Sequence, residues 1–199
     1  MNKMLTRSLA LIGLTLALSL TSEARNHRSP SRILENAAKS LQDLRDASVA
    51  PPKDLEVCFS PDEPCGAKLT KFIAGAVISI DVAIYDINLD AYVHQLIVKS
   101  KQIPVRIVVD RKQAKGPHSA VKLLQKAGIR LKYGRQRGIM HNKFVIVDGK
   151  QVETGSFNHT HHASTANNEN QIYLFEPKVV ARYQARFEKL WREGDDAGS

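Results

Sequence analysis

A single acidic residue, Asp110, stands between Lys101 and Lys143, against twelve Lys or Arg. This shortage of negative charge gives the segment +11, while the rest of the 199-residue chain sums to −2. The formal net charge of +9 is therefore concentrated rather than spread. A concentrated surplus suggests a phosphate-rich partner, either nucleic acid or an anionic lipid surface. Cysteine is scarce too: only Cys58 and Cys65 occur, in "CFSPDEPC". Without a second pair, a zinc knuckle is disfavoured. Two Cys bracketing a Pro-rich turn suit a local disulfide in an oxidising compartment, with free buried thiols as the alternative. No helix-turn-helix or zinc-finger spacing is present, so nothing points to base readout. After residue 24 no segment is long and apolar enough to cross a bilayer.

What is present begins with an export signature. "MNKMLTR" carries Lys3 and Arg7, "SLALIGLTLALSL" is short and apolar, and Ser22 and Ala24 form a small-x-small site. This predicts a signal peptide over 1–24, cleaved near Ala24, and an exported protein, periplasmic or secreted. An uncleaved anchor is the alternative. Residues 25–54 read as a helical extension capped by Ser31, with Ile33, Leu34, Ala37, Leu41 and Leu44 on one face, followed by the breaker "SVAPPKD".

The domain is expected over 55–199. Buried-strand patterns occur in "LEVCF", "VISIDVAIY", "PVRIVVD" and "IRLKYG". "KFVIVD" and "QVETG" form a hairpin around Gly149, and "NQIYLFE" is a further strand. Helical spacing occurs in "GAKLTKFIAGA", "LDAYVHQLIVKS", "SAVKLLQKAG" and "KVVARYQARFEKLW". The last places Val180, Tyr183, Phe187 and Leu190 on one face, so Phe187 and Trp191 read as core rather than as base-stacking platforms. Strands alternating with helices, plus one hairpin, predict a single α/β domain. Its mixed β-sheet is flanked by helices on both faces.

The chemistry concentrates in "HNKFVIVDGKQVETGSFN", residues 141–158. His141, Lys143 and Asp148 fit H-x-K-x4-D, and Gly155, Ser156 and Asn158 follow in "GSFN". Strand alternation points His141 and Lys143 the same way, along with Val145 and Val147. His141 can act as nucleophile or proton donor near neutral pH. Lys143 is a compact cation for a phosphate oxygen, and Asn158 and Ser156 add an amide and a hydroxyl. Such a set can surround one phosphoryl group, and it lacks the carboxylate cluster of Mg²⁺-dependent transfer, so no cofactor or metal is expected.

These residues resemble the HKD motif and the following G-S-x-N of the phospholipase D superfamily. "VCFSP", "VAIYDI", "VRIVVD", "NNENQIYLFEP" and "RFEKLW" extend the likeness to the short, single-motif bacterial endonucleases of the Nuc type, over about residues 55–194. The resemblance implies a phosphohistidine mechanism that uses two histidines, one per motif. It implies that Lys143 and Asn158 hold the non-bridging oxygens and that Ser156 assists them. It further implies that Glu169 orients His141 and that Asp148 grips the hairpin turn. Larger members of the superfamily carry two motifs, and this sequence carries one. A homodimer with a shared site is therefore expected, because a two-fold interface brings two copies of His141 together.

Arg135 and Arg137, just ahead of His141, are the expected phosphate contacts of a nucleic-acid substrate. A phospholipase D acting on anionic phospholipid is the alternative function, since the chemistry is shared. A non-catalytic nucleic-acid binder is a third, opposed by the intact His141, Lys143, Asn158 and Glu169. His159, His161 and His162 in "NHTHH" read as a polar substrate-facing loop rather than a metal site.

Overall fold

A computed structural model describes residues 56–134 and 138–197. The expected signal peptide, the 25–54 extension, Arg135 and Arg137 lie outside the described residues. In chain order the elements are β1 (Glu56–Ser60), α1 (Cys65–Ala74), β2 (Ile80–Ile84), α2 (Asp90–Ser100), β3 (Val105–Val109), α3 (Arg111–Ala114) and α4 (Val121–Lys126). There follow β4 (Arg130–Tyr133), β5 (Lys143–Val147), β6 (Gln151–Gly155), α5 (His161–Thr165), β7 (Glu169–Leu174), α6 (Pro177–Glu193) and β8 (Asp195–Asp196). The strands form one eight-stranded sheet in the order β1-β7-β6-β5-β2-β3-β4-β8. β2, β3 and β4 run parallel, and every other pairing is antiparallel. The expected mixed α/β sheet is the fold observed.

Alternation along the central strands builds two cores. Ile80, Val82 and Ile84 of β2, Ile107 of β3 and Val145 of β5 face α1, α2 and α4, which contribute Leu69, Ile73, Tyr92, Leu96 and Leu124. Ala83, Val108, Phe144 and Ile146 take the opposite face and meet Val180, Phe187 and Leu190 of α6. A strand covered on both sides must be apolar at every position, which is why β2 reads "IDVAI" with Asp81 its one charge. Asp81 is matched there. Arg106 binds it through Nε and Nη2, each at 2.7 Å, and reaches Glu188 of α6 at 2.6 Å. The Arg106 guanidinium also lies over the Phe187 and Trp191 rings, 4.8 and 5.4 Å from their centroids. Helix α6 starts at Pro177, with Glu176 accepting the Lys178 amide.

Three local features differ from expectation. Val77 and Ile78, read as strand, are 73% and 55% exposed. They form the loop before β2, whose amides are committed elsewhere. The short helices α3 and α5 go unannounced by any hydrophobic period. Each rests on its cap, Asp110 accepting from Lys112 N and Gln113 N, and Thr160 accepting from Ala163 N. Strand β8 exists only by pairing with β4. Cys58 of β1 and Cys65 of α1 are joined as a disulfide, with Cα atoms 5.7 Å apart. Glu63 lies beside them, but the disulfide leaves no thiolate there for a metal.

Candidate active site

The C-terminal ends of β2, β3 and β6 and the N-terminal ends of β5 and β7 meet on one edge of the sheet, the usual place for a site in such a fold. His141 lies two residues before β5 and is exposed. Its ring packs edge-on against Tyr85, with centroids 4.6 Å apart. Lys143 is half-buried, lies 5.2 Å from the centroid of the same Tyr85 ring and donates to the His141 carbonyl at 3.1 Å. Tyr85 is thus the floor under both residues. Its hydroxyl is fixed by Gln113 Nε2 at 2.7 Å. Burial lowers the Lys143 pKa, against the opposing pull of Glu169.

The approach to His141 is held from β3. Asp110, 5% exposed, accepts the Met140 amide at 3.0 Å while capping α3 with its other oxygen. The one acid of the basic segment therefore anchors the loop that presents the histidine. Across the site, Gly155 lets β6 and β7 close, since a Cβ there would lie 2.0 Å from the Asn170 carbonyl oxygen. That closeness places Ser156, whose Oγ donates to Glu169 at 2.5 Å and accepts the Asn170 amide at 3.0 Å. Glu169 also accepts from Asn167 at 3.0 Å. Asn158 is partly buried, and its Oδ1 has no hydrogen-bond partner among the described residues.

Within the chain Glu169 binds Ser156 and Asn167, and its charge acts on Lys143. One expected role changes. Asp148 grips not its own turn but the loop before β2, accepting the amides of Val77, Ile78 and Ser79 at 2.7–3.1 Å. It does so from a left-handed φ of 58°, with Gly149 following at 65°. Burial would raise this carboxyl, but the three amides outweigh it and hold it below the usual range.

The "NHTHH" loop is also not what its polarity implies. His159 is fully buried, edge-on to Tyr92 at 4.6 Å. Its Nε2 lies 3.9 Å from Glu153 of β6, which is 1% exposed. Burial, with Lys143 nearby, drives His159 down to about 3, and burial drives Glu153 up to about 8. Burial favours the neutral form of both groups, and they form a buried polar seat behind Lys143. His161 pairs with Asp90 at the surface, at 3.0 Å, and His162 is exposed. The three histidines therefore share no common centre.

A family model described as "Cardiolipin synthase, PLD-like domain" matches residues 69–191. The chain belongs to the phospholipase D superfamily. It is a phosphodiesterase of that superfamily. The Nuc phospholipase D family member of Salmonella typhimurium superposes with a TM-score of 0.69 at 30% identity, covering 73% of this chain and 98% of that one. NucT of Helicobacter pylori shares the fold at 22% identity and a TM-score of 0.65, over 71% of this chain and 98% of its own. Among curated relatives, the mitochondrial cardiolipin hydrolase of Xenopus laevis is 28% identical over 94% of this chain and 89% of its own length. That of Chlamydomonas reinhardtii is 34% identical over 63% of this chain and 56% of its own length. The phospholipase D of Rickettsia conorii is 34% identical over 65% of each chain. The stretch that the family model matches contains His141, Lys143, Ser156 and Asn158. Tyr85 and Asp110 support this stretch from segments with no motif of their own, and the buried Glu153–His159 pair packs behind it.

Proposed function

We propose that the protein is a single-motif, Nuc-type endonuclease that hydrolyses nucleic-acid phosphodiester bonds without a metal and largely without sequence preference. The observation that carries this reading is His141 beside a half-buried Lys143, so that one phosphate can meet nucleophile and cation together. A His141 ring nitrogen attacks phosphorus, and the bond to the leaving oxygen breaks. A second histidine supplies the proton to that oxygen. Water, deprotonated by the second histidine, then attacks phosphorus, breaking the P–N bond and returning its electron pair to His141. Lys143 and the Asn158 amide bind the non-bridging oxygens, where negative charge builds in the transition state. Partial desolvation strengthens the Lys143 field at that point.

The chain carries one such motif, so the second histidine comes from a second copy, paired across a two-fold axis. The basic segment 101–143 supports a nucleic-acid substrate, since neutralised backbone phosphates give non-specific binding. So does the likeness to Nuc over nearly all of that chain. A second reading, hydrolysis of an anionic phospholipid, is favoured by the relatives named cardiolipin hydrolase. One assay separates them: plasmid DNA, single-stranded DNA, RNA and cardiolipin vesicles, each with EDTA. Nucleic-acid cleavage supports the nuclease reading, lipid turnover alone replaces it, and loss of cleavage in EDTA refutes the metal-free mechanism.

A further inference from the structure

A cleft of about 350 Å³ opens between β5 and α6. It is lined by Asn142, Phe144, Val179, Arg182, Tyr183 and Arg186. Asn142 is the residue between His141 and Lys143, so the cleft begins one position from the nucleophile. Arg182 and Arg186 are one helical turn apart, both exposed, and neither forms an ion pair among the described residues. No acid stands three or four residues from either arginine, and Glu188 is held by Arg106 at 2.6 Å. Lys178 and Lys189 continue the same exposed stripe, Lys189 sharing Glu193 at 3.9 Å. The apolar stripe of α6 is spent on the sheet, with Val180, Phe187 and Leu190 at 1%, 0% and 7% exposure. The outward stripe of Lys178, Arg182, Arg186 and Lys189 is cationic, which suits a phosphate backbone better than insertion into lipid.

We propose that Arg182 and Arg186 form a second phosphate subsite, which binds a backbone phosphate of the nucleic acid flanking the scissile one. The inference rests on the nuclease reading and extends it. An arginine pair suits this task, because each planar fork can grip a phosphate through two parallel hydrogen bonds. Tyr183 forms the floor of the cleft, edge-on to Phe144 at 5.2 Å, and gives the bound strand a rigid surface. A strand lying across the start of β5 then touches Lys143 on one face and the arginine pair on the other.

The test compares two substrates in the full-length protein: a single-stranded 20-mer, and bis(p-nitrophenyl) phosphate, a phosphodiester with no flanking phosphate. For R182Q/R186Q the ratio of kcat/KM for oligonucleotide to that for the small diester should fall at least tenfold. The log–log salt slope of oligonucleotide binding should shrink by about 0.7, the value for one neutralised phosphate on a single strand. The charge-matched K71Q/K150Q variant, altered on α1 and in the β5–β6 turn, should keep the wild-type ratio. R182K/R186K should recover at least half of it. An unchanged ratio in R182Q/R186Q, or an equal loss in K71Q/K150Q, overturns the subsite and leaves the nuclease reading standing. Wild-type protein that hydrolyses the small diester but no oligonucleotide refutes the nuclease reading, and the subsite with it. Loss of cardiolipin turnover in place of oligonucleotide cleavage overturns the proposal in favour of a lipid headgroup.

Discussion

Glu153→Gln should make this protein more stable, and the gain should grow with pH. Glu153 is 1% exposed, lies 3.9 Å from a histidine that is itself fully buried, and has one carboxylate oxygen without a partner. Burial raises its carboxyl from 4.5 to about 8. A raised carboxyl keeps a proton in the folded state that the unfolded chain releases above about 4.5, so stability falls as pH rises between those values. At 1.36 kcal/mol per pH unit the cost is about 3 kcal/mol at pH 7 and about 5 kcal/mol above pH 8. Gln keeps the shape and neutrality of the protonated acid without that cost. The variant should therefore melt about 6–12 °C higher at pH 7, with the difference widening to pH 8.5. His159 acts in the opposite sense. Its folded pKa is lowered from 6.5 to about 3, so it removes stability as pH falls through that window, in wild type and variant alike. Calorimetric melting of both proteins from pH 5 to pH 9 is the assay. If Glu153→Gln instead loses about 3–5 kcal/mol, Glu153 and His159 are a charged pair, and the neutral seat behind Lys143 is wrong.

His141→Ala should reduce phosphodiester turnover by about 10³-fold or more, because the covalent route is closed. Mixed with wild type at equal concentration and allowed to exchange, it should leave about a quarter of the dimers fully wild type. Full activity from a strictly monomeric wild type would refute the shared site. Asp148→Asn should cost about 1–2 kcal/mol at neutral pH, read by urea unfolding, since it weakens three amide bonds to the loop before β2. The lowered Asp148 carboxyl contributes stability above about pH 4, and that part is lost as pH falls further, so the two proteins should converge in acid. Replacing Cys58 and Cys65 together with Ala should cost about 2–3 kcal/mol, as expected for so short a closed loop; equal stability of the variant and the oxidised wild type would refute that. Phe187→Ala should cost about 3–5 kcal/mol by opening the core under α6, measured by thermal melting.

The candidate site was legible because its residues are local. His141 and Lys143 sit two apart ahead of one strand, and "GSFN" closes the hairpin, so spacing alone gathers them. The same local rule assigned Val145 and Val147 to one face and Phe144 and Ile146 to the other, as the two cores confirm. Legibility failed where partners come from distant segments. Tyr85 under His141, Asp110 holding Met140, and the amides that Asp148 accepts are separated from the motif by tens of residues. It failed again at "NHTHH", where polarity implied a surface loop. The bridge between His159 and Ile87 instead pulls that ring into the core.

The chain by itself determined the chemistry class, the strand faces and the order of elements, because periodicity and motif spacing act over a few residues. Tertiary structure decided which groups are charged, which carbonyl or amide each acid meets, and which cations stay free. Those depend on burial and on approach between segments, and the packed sheet alone provides both. Arg106 and Arg186 show the difference. Both are arginines in the domain, yet one is neutralised between Asp81 and Glu188, while the other faces an open cleft that Asn142, next to His141, also lines.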